Sequence, residues 1–590
     1  MKINLTRSKL KRKYRARKKS VKEFGASANK NIDRHIFRRW TNLQNAKRFI
    51  LGWLTLVVLL ITGVALQTSA LGKHYLAPAP VDGGVIVEGI EGTFTNGNPL
   101  YANSVVDSSV AKLVFSSLMT YDSKGELTGD LAKSWEMSNN GQVFVIKLKP
   151  NTGWHDGQKL TANDVVYTYK TIQNPDAKSP LYGGWKGVKV EKVDSNTVKF
   201  TLPSPYPPFL NLLTNGIVPE HILSKKPVSS LRGDQYNTTS LVGSGPFKFE
   251  SAIGKSNQSG KEISLAANKN YYNGPPKLEG FSIKTYNDQN KLIKDLKNKK
   301  ITTAGGLVYG DDNLPTDNSY DFDQNSATML FLKTTAPNLS EVKVRQALAK
   351  GTKVSDLSAK TGFQTVPVKG PLLSEHIGYN KEYDQFGYSK EEAGKLLDEA
   401  GWLKVPDAKY RQKDGKDLVL KLVSENNQIY PQIATELQKQ WAELGIKLDV
   451  SFVSSEQITQ TYIPNHEYDV FLYGINIGPD PDVYAYWHSS QAATGTPRLN
   501  LSEYKSPVAD LALESARSRS AEDLRAAKYK PFLNAFKNDV PAIGLYQPRY
   551  LYLASKKIYG IENGRSISSP EERYNNVTEW NIHTKKKKKN

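Results

Sequence analysis

DLVLKLVSENNQIYPQIATELQKQWAELGIKLDV, residues 417–450, changes its hydrophobic period twice. LVLKLV at its start reads as a strand. Ile429, Ile433, Leu437, Trp441 and Leu444 then recur every three or four residues, which places them on one helical face. Gly445 stops that helix, and IKLDV opens a second strand. A strand, a helix and a strand in this order are most economically a right-handed parallel crossover. The region from about 325 to 540 is therefore expected to be α/β.

The surrounding chain extends this reading. SKEEAGKLLDEAG, 389–401, opens with Ser389 and Glu392 at capping-box spacing and closes on Gly401, where a left-handed cap sits. QVFVIKLK (142–149) and NTVKFTL (196–202) alternate as half-buried strands, and GGVIVEG (83–89) reads as a buried one. Between them lies WHDGQKLTANDVVYTY, 154–169, where a His adjoins an Asp. Asp156-Gly157 is a turn signal, Thr161 is a helix cap, and Asp164 stands three residues on, where a carboxylate favours first-turn amides. A catalytic reading of His155 and Asp156 needs a nucleophile and a third group, and the stretch offers neither. These residues read as scaffold.

Composition narrows the function. The chain has 590 residues and no cysteine, which excludes disulfides, thiolate metal sites and a Cys nucleophile. The net charge of +22 is concentrated at the ends. Residues 1–48 hold 17 Lys and Arg against two acids, and Lys585–Lys589 add five positive charges. The body is nearly neutral, so nucleic acid is not an expected partner. FILGWLTLVVLLITGVAL, Phe49–Leu66, is uncharged and would span about 27 Å as a helix. Its basic flank is N-terminal, which predicts residues 1–48 inside the cell and the body outside. A cleaved signal peptide is the competing reading, but a 48-residue leader is too long for an ordinary one.

Several segments resemble the family 5 extracellular solute-binding proteins, the oligopeptide and dipeptide receptors of ABC importers. They begin with LAKSWEMSNNGQVFVIKLKPNTGWHDGQKLTANDVVYTY (131–169), IVPEHIL (217–223), GSGPFKF (243–249) and NKNYYNGPPKLEGFSIK (268–284). VRQALAKGTKV (344–354), SKEEAGKLLDEAGW (389–402) and YDVFLYGINIGPDPDVYAYWHSSQ (468–491) follow in the family's order. The resemblance implies a two-lobed, periplasmic-binding-protein-like α/β fold of type II, cluster C-like, with an extra subdomain in the first lobe. Here one transmembrane helix precedes it. The implied organisation is a basic tail at 1–48, an anchor at 49–71 and a linker at 72–82. The first lobe takes 83–325, with its subdomain at about 100–223, and the second lobe takes 326–542. The chain then returns to the first lobe at 543–583 and ends in a solvated Lys-rich tail at 584–590.

By the same resemblance, Tyr473, Gly474, Ile475, Asn476 and Ile477 form the strand that pairs with a peptide's main chain. Peptide receptors of the family commonly carry an Asp four residues before the Pro closing this motif, where it binds the peptide's α-amino group. Counting back from Pro481 gives Ile477, so that acid is missing. Asp480, Asp482 or Glu91 are the candidates to replace it, although Asp480 and Asp482 also read as simple turn formers. Tyr484, Trp487 and Tyr546 are candidate cleft walls. The expected function is a membrane-tethered, extracellular substrate-binding protein with no enzymatic activity, catalytic residue, metal or cofactor. It would act as a monomer and deliver peptides to a separate permease and its ATPases. The alternatives are a non-peptide ligand (a nickel complex, haem, an opine or an oligosaccharide) and a surface adhesion role.

Overall fold

The computed structural model describes residues 47–138, 141–254, 260–307, 318–496, 498–562, 564 and 566–588, with isolated helical positions at 15, 18, 19, 22, 23 and 26. Nearly all of the expected basic tail at 1–48 lies outside the described residues. Two compact units divide the chain, Met1–Ala79 with Thr584–Asn590, and Pro80–His583.

In the first unit a single helix runs over Lys47–Tyr75. Its window Phe49–Thr68 has a mean hydropathy of 2.5 and is not buried by protein, so it is long and apolar enough to cross a membrane. The next residues depart from the expected linker. Leu76–Val81 is a strand, and it pairs with His583–Lys588 in a two-stranded sheet. The described part of the expected Lys-rich tail, 584–588, is therefore paired backbone. Strand pairing uses main-chain groups and needs no apolar side chains, so a run of like charges does not prevent it. Pro78 and Pro80 stand two residues apart, which puts both missing donors on one edge and leaves the other edge able to pair.

The second unit is built on two mixed sheets. The first has seven strands, in the order Asn318–Asp323, Arg549–Ala554, Thr303–Leu307, Val85–Glu91, Gly280–Tyr286, Glu262–Ala267 and Phe247–Ile253. A four-stranded antiparallel sheet, Ala132–Ser138, Val143–Leu148, Thr197–Thr201 and Lys189–Asp194, packs into the same hydrophobic core. The second mixed sheet has six strands, in the order Val366–Pro367, Ala542–Gln547, Ser326–Leu332, Val470–Asn476, Val419–Glu425 and Lys447–Val453. The expected crossover is present: Val419–Glu425 and Lys447–Val453 are parallel neighbours joined by the helix Tyr430–Glu443, which buries Ile433, Leu437 and Trp441.

The chain passes between the two sheets at two adjacent places. It leaves the first lobe between Asp323 and Ser326 and comes back between Gln547 and Arg549. The return differs from the expected position at 543. Strand Ala542–Gln547 belongs to the second lobe because it pairs with Ser326–Leu332 from Ala542↔Phe331 to Tyr546↔Thr328. The crossings are bonded together: the Gln324 amide donates to the Pro548 carbonyl at 2.9 Å, and Gln547 Nε2 donates to the Gln324 carbonyl at 3.3 Å. Two neighbouring strand-to-strand passages of a few residues each make a hinge.

The first lobe is closed by an ion pair. Arg573 Nη2 lies 2.6 Å from Glu88 Oε1, and both residues are essentially fully buried. Tyr552 Oη donates to the other Glu88 oxygen at 2.8 Å, Arg573 Nη2 also donates to Ser109 Oγ at 3.0 Å, and the guanidinium lies 4.0 Å from the Tyr574 ring centroid. Both carboxylate oxygens and all three guanidinium nitrogens are therefore hydrogen-bonded, the condition under which a buried charge is tolerable.

His155 and Asp156 are scaffold. The His155 ring accepts from the Gly243 amide at Nδ1 (3.2 Å) and donates from Nε2 to the Gly245 carbonyl (3.0 Å), pinning the turn before strand Phe247–Ile253. Asp156 meets His221 at 2.8 Å, and Thr161 and Asp164 form the capping box of the helix Ala162–Ile172. Burial pushes the His155 imidazole down to about 4. The folded value lies below the unfolded value, so the stabilisation is complete above about pH 6.5 and is lost as the pH falls toward 4. The urea midpoint of the parent is expected to fall through this window, and the slope is expected to be shallower in His155→Gln. An NMR titration showing His155 protonating near 6.5 would contradict this.

Candidate functional site

The site is assembled at the C-terminal ends of parallel strands, where open α/β sheets commonly place ligands. In the second lobe Val470–Asn476 pairs along its whole length with Ser326–Leu332, from Val470↔Leu332 to Asn476↔Ser326. On its other side, Val419–Glu425 pairs with it only at Leu422↔Val470, Val423↔Phe471 and Ser424↔Leu472. Beyond Leu472 that edge has no strand neighbour among the described residues. The Ile477 amide donates to the Asn325 carbonyl at 2.9 Å. Backbone direction alternates along a strand, so Tyr473 and Ile475 address Ser326–Leu332, whereas Gly474 and Asn476 address the open edge. The Asn476 carbonyl accepts from Tyr486 Oη. The Gly474 amide and carbonyl and the Asn476 amide therefore form a short strip of strand backbone without a strand partner among the described residues.

A side chain at Gly474 would crowd the residues that face it. A Cβ there would sit 3.2 Å from Tyr430 Oη and 3.9 Å from Thr328 Oγ1. Tyr546, expected as a cleft wall, is buried nearby, edge-on to Phe363 at 5.9 Å, and burial raises its phenol to about 12. Tyr473 is partly exposed and stacks on Phe471 at 5.1 Å, while Ile475 and Ile477 are buried in the second-lobe core. Trp487 corrects its expectation. It is fully buried, stacked on Phe331 at 5.7 Å and edge-on to Phe536 at 4.7 Å, so it is a core residue and offers no surface to a cleft.

The loop acids are already engaged. Asp480 receives both Arg525 amino groups, at 2.7 and 2.8 Å, and Arg525 is itself buried. Asp482 lies 2.9 Å from Arg517 Nη2. Burial pushes the Asp482 carboxyl up, and the Arg517 charge works against that shift. Both acids act as the clamps of a turn, the bland reading that the sequence left open. Glu91 is different. It ends strand Val85–Glu91 in the first lobe, is exposed, and makes no ion pair among the described residues.

The hinge reaches into this site through Asn325. Its carbonyl accepts from the Ile477 and Gly478 amides, its own amide donates to the Ile567 carbonyl, and its side chain donates to Ser568 Oγ at 3.0 Å. Asn476 Nδ2 also reaches the Ser568 carbonyl at 2.9 Å. On the far side of the loop, His376 Nε2 donates to the Gly478 carbonyl at 3.0 Å. Sequence reasoning missed Asn325, Arg517, Arg525 and Tyr430, because none stands beside the motif it serves. The one available signal was electrostatic: two acids in a Gly-Pro-Asp-Pro-Asp loop need cationic partners if the loop is packed.

The bacterial extracellular solute-binding protein family 5 model matches residues 126–496, and the chain belongs to this family. Oligopeptide-binding protein AppA of Bacillus subtilis is 28% identical over 519 residues, covering 82% of this chain and 92% of AppA. The structure of B. subtilis AppA in complex with a nonapeptide matches with a TM-score of 0.69 and 26% identity, over 86% of this chain and all of that one. NikZ of Campylobacter jejuni in complex with Ni(L-His) matches with a TM-score of 0.70 and 27% identity, over 84% of this chain and 99% of NikZ. The fold is the two-lobed one of the periplasmic binding proteins, with one apolar N-terminal helix. Family members are the substrate-binding components of ABC transporters, whose work is capture rather than catalysis.

The Asp480–Arg525 assignment has a direct test. Asp480→Asn leaves a buried guanidinium without its counter-charge and is expected to destabilise the body by about 3 kcal/mol in urea unfolding. Glu91→Gln is expected to change stability by less than about 0.5 kcal/mol, as an exposed, unpaired side chain should.

Proposed function

We propose that this protein is the membrane-anchored, extracellular substrate-binding subunit of a peptide importer. It captures a peptide between its lobes and hands it to a permease driven by separate ATPases. The observation that carries the reading is the strip of strand backbone at Gly474 and Asn476, on the side of Val470–Asn476 that the neighbouring strand leaves open. An extended peptide adds to such an edge through its own main chain, which is common to every sequence. Gly474 leaves room beside it, and Tyr430 and Thr328 line that face. The engagement of Asp480 and Asp482 by arginines supports a grip on internal main chain, with Glu91 as the remaining acid for a ligand's amine. The similarity to peptide-binding AppA supports the ligand class.

Isothermal titration with a nonapeptide series tests the main-chain grip. N-methylation of the central amides is expected to weaken binding by about 10- to 100-fold, the worth of one or two hydrogen bonds lost in a closed cleft. Acetylating the N-terminus is expected to cost less than about tenfold. A flat N-methyl scan with a large acetylation penalty would replace this reading with terminal-amine recognition. Native mass spectrometry of the purified chain is expected to find bound peptide, and a retained nickel complex would instead favour the NikZ-like ligand class.

The helix Lys47–Tyr75 is read as an uncleaved anchor with its basic flank in the cytoplasm. Protease added to intact cells is expected to release the body and leave a small protected N-terminal fragment. A mature protein beginning near Leu71 would establish cleavage instead.

A further inference from the structure

Arg517 lies between the lobes in a way that capture of a peptide does not by itself require. Its guanidinium is 4.3 Å from the ring centroid of Tyr484, in its own lobe, and 5.2 Å from the ring of Tyr206, in the other. Its Nη2 holds Asp482 Oδ2 at 2.9 Å. Tyr206 belongs to the first lobe: its amide donates to the Gly141 carbonyl at 2.8 Å, and its neighbours Pro208 and Phe209 are buried in that lobe's core. A cation between two aromatic faces is held by both ring quadrupoles, and more strongly as water is excluded.

The two halves of this arrangement differ. Asp482, Tyr484 and Arg517 all lie in the second lobe, so the cation stays oriented when the lobes part. Opening removes only the Tyr206 ring. The second-lobe half is therefore a preformed receptor, and Tyr206 is the part that docks into it. We propose that Tyr206 and Arg517 form a latch that stabilises the closed arrangement of the lobes, making both of them positioning residues for capture that need not touch the peptide. A contact made only in the closed state shifts the open–closed equilibrium toward closure by whatever it is worth, and it raises apparent ligand affinity by raising the closure-competent fraction. It also accounts for an acid of the Gly-Pro-Asp-Pro-Asp loop: Asp482 orients the cation of the latch.

The absence of cysteine from the chain allows a clean measurement. Lys192→Cys and Asp523→Cys place spin labels at exposed positions, one on each lobe. Pulsed electron–electron double resonance on the full chain in lipid nanodiscs, without added ligand, reads the distance between them. Tyr206→Ala is expected to shift the distribution to longer distances, and Tyr206→Phe, which keeps the ring, is expected to shift it less. Arg517→Gln is expected to shift it from the opposite lobe, and the double variant Tyr206→Ala, Arg517→Gln is expected to open no further than the larger single shift. Thermal unfolding of each variant confirms that it is folded. If folded Tyr206→Ala and Arg517→Gln both keep the parent distribution, or if their shifts simply add, the latch is overturned. The comparison is made on preparations that native mass spectrometry shows to be free of retained ligand, so the result is independent of whether the cargo is a peptide.

Discussion

The buried pair of Glu88 and Arg573 ties the two ends of the body into one lobe. Glu88 lies on the earliest strand of the first lobe, Val85–Glu91, and Arg573 lies almost 500 residues later. Removing one partner would leave a charge in a dry interior, at a cost of about 3–5 kcal/mol. The pair is held by Tyr552 and Ser109 and covered by the rings of Tyr550, Tyr552 and Tyr574. The residues after Pro548 therefore cannot stay with the second lobe. They must come back, and the return at Pro548 beside the outgoing crossing at Gln324 follows from that demand.

Two crossings side by side leave the lobes joined by a few residues, which is what a hinge needs. Asn325 shows how closely hinge and site are coupled. It bonds to the Ile567–Ser568 segment of one lobe and to the Ile477–Gly478 segment of the other. The backbone strip at Gly474 and Asn476 thus adjoins the Ile477–Gly478 segment that Asn325 holds at the pivot. The proposed ligand contacts there would act where the two lobes diverge, and the aromatic–cation contact of Tyr206 with Arg517 lies where they meet.

Electrostatics in the Gly478–Asp482 loop are internal. An Asp with two guanidinium hydrogen bonds, as Asp480 has, is poorly placed to receive a ligand's ammonium without giving up its partner. Ile477 occupies the position where related peptide receptors commonly carry an acid, and it is buried. A cleft whose loop carboxylates are neutralised by its own arginines suits cargo recognised by main chain. His376 and His155 follow one design, with one ring nitrogen accepting an amide and the other donating to a carbonyl, and burial depresses both to about 4. They pin turns and are not switches at neutral pH.

Local chemistry was legible in the amino-acid sequence. The strand–helix–strand unit at 417–450, the caps at Thr161 and Ser389, the apolar span from Phe49 and the scaffold role of His155 and Asp156 all depend on residues close along the chain. Periodicity and turn chemistry report such features directly. The pairing of Leu76–Val81 with His583–Lys588 was not legible, because a Pro-containing linker and a run of lysines carry no pattern that points at each other. Nor were the boundary at Pro548, the burial of Trp487 or the engagement of Asp480 and Asp482. Each is decided by partners far away in the chain: Ser326–Leu332 for the strand before Pro548, Phe331 and Phe536 for Trp487, Arg525 and Arg517 for the acids. The sequence by itself determined the class of fold and the kinds of group available for binding. Which of those groups remain free for a ligand was decided by tertiary structure alone, because a carboxylate or a strand edge is a site only where folding leaves it without a partner.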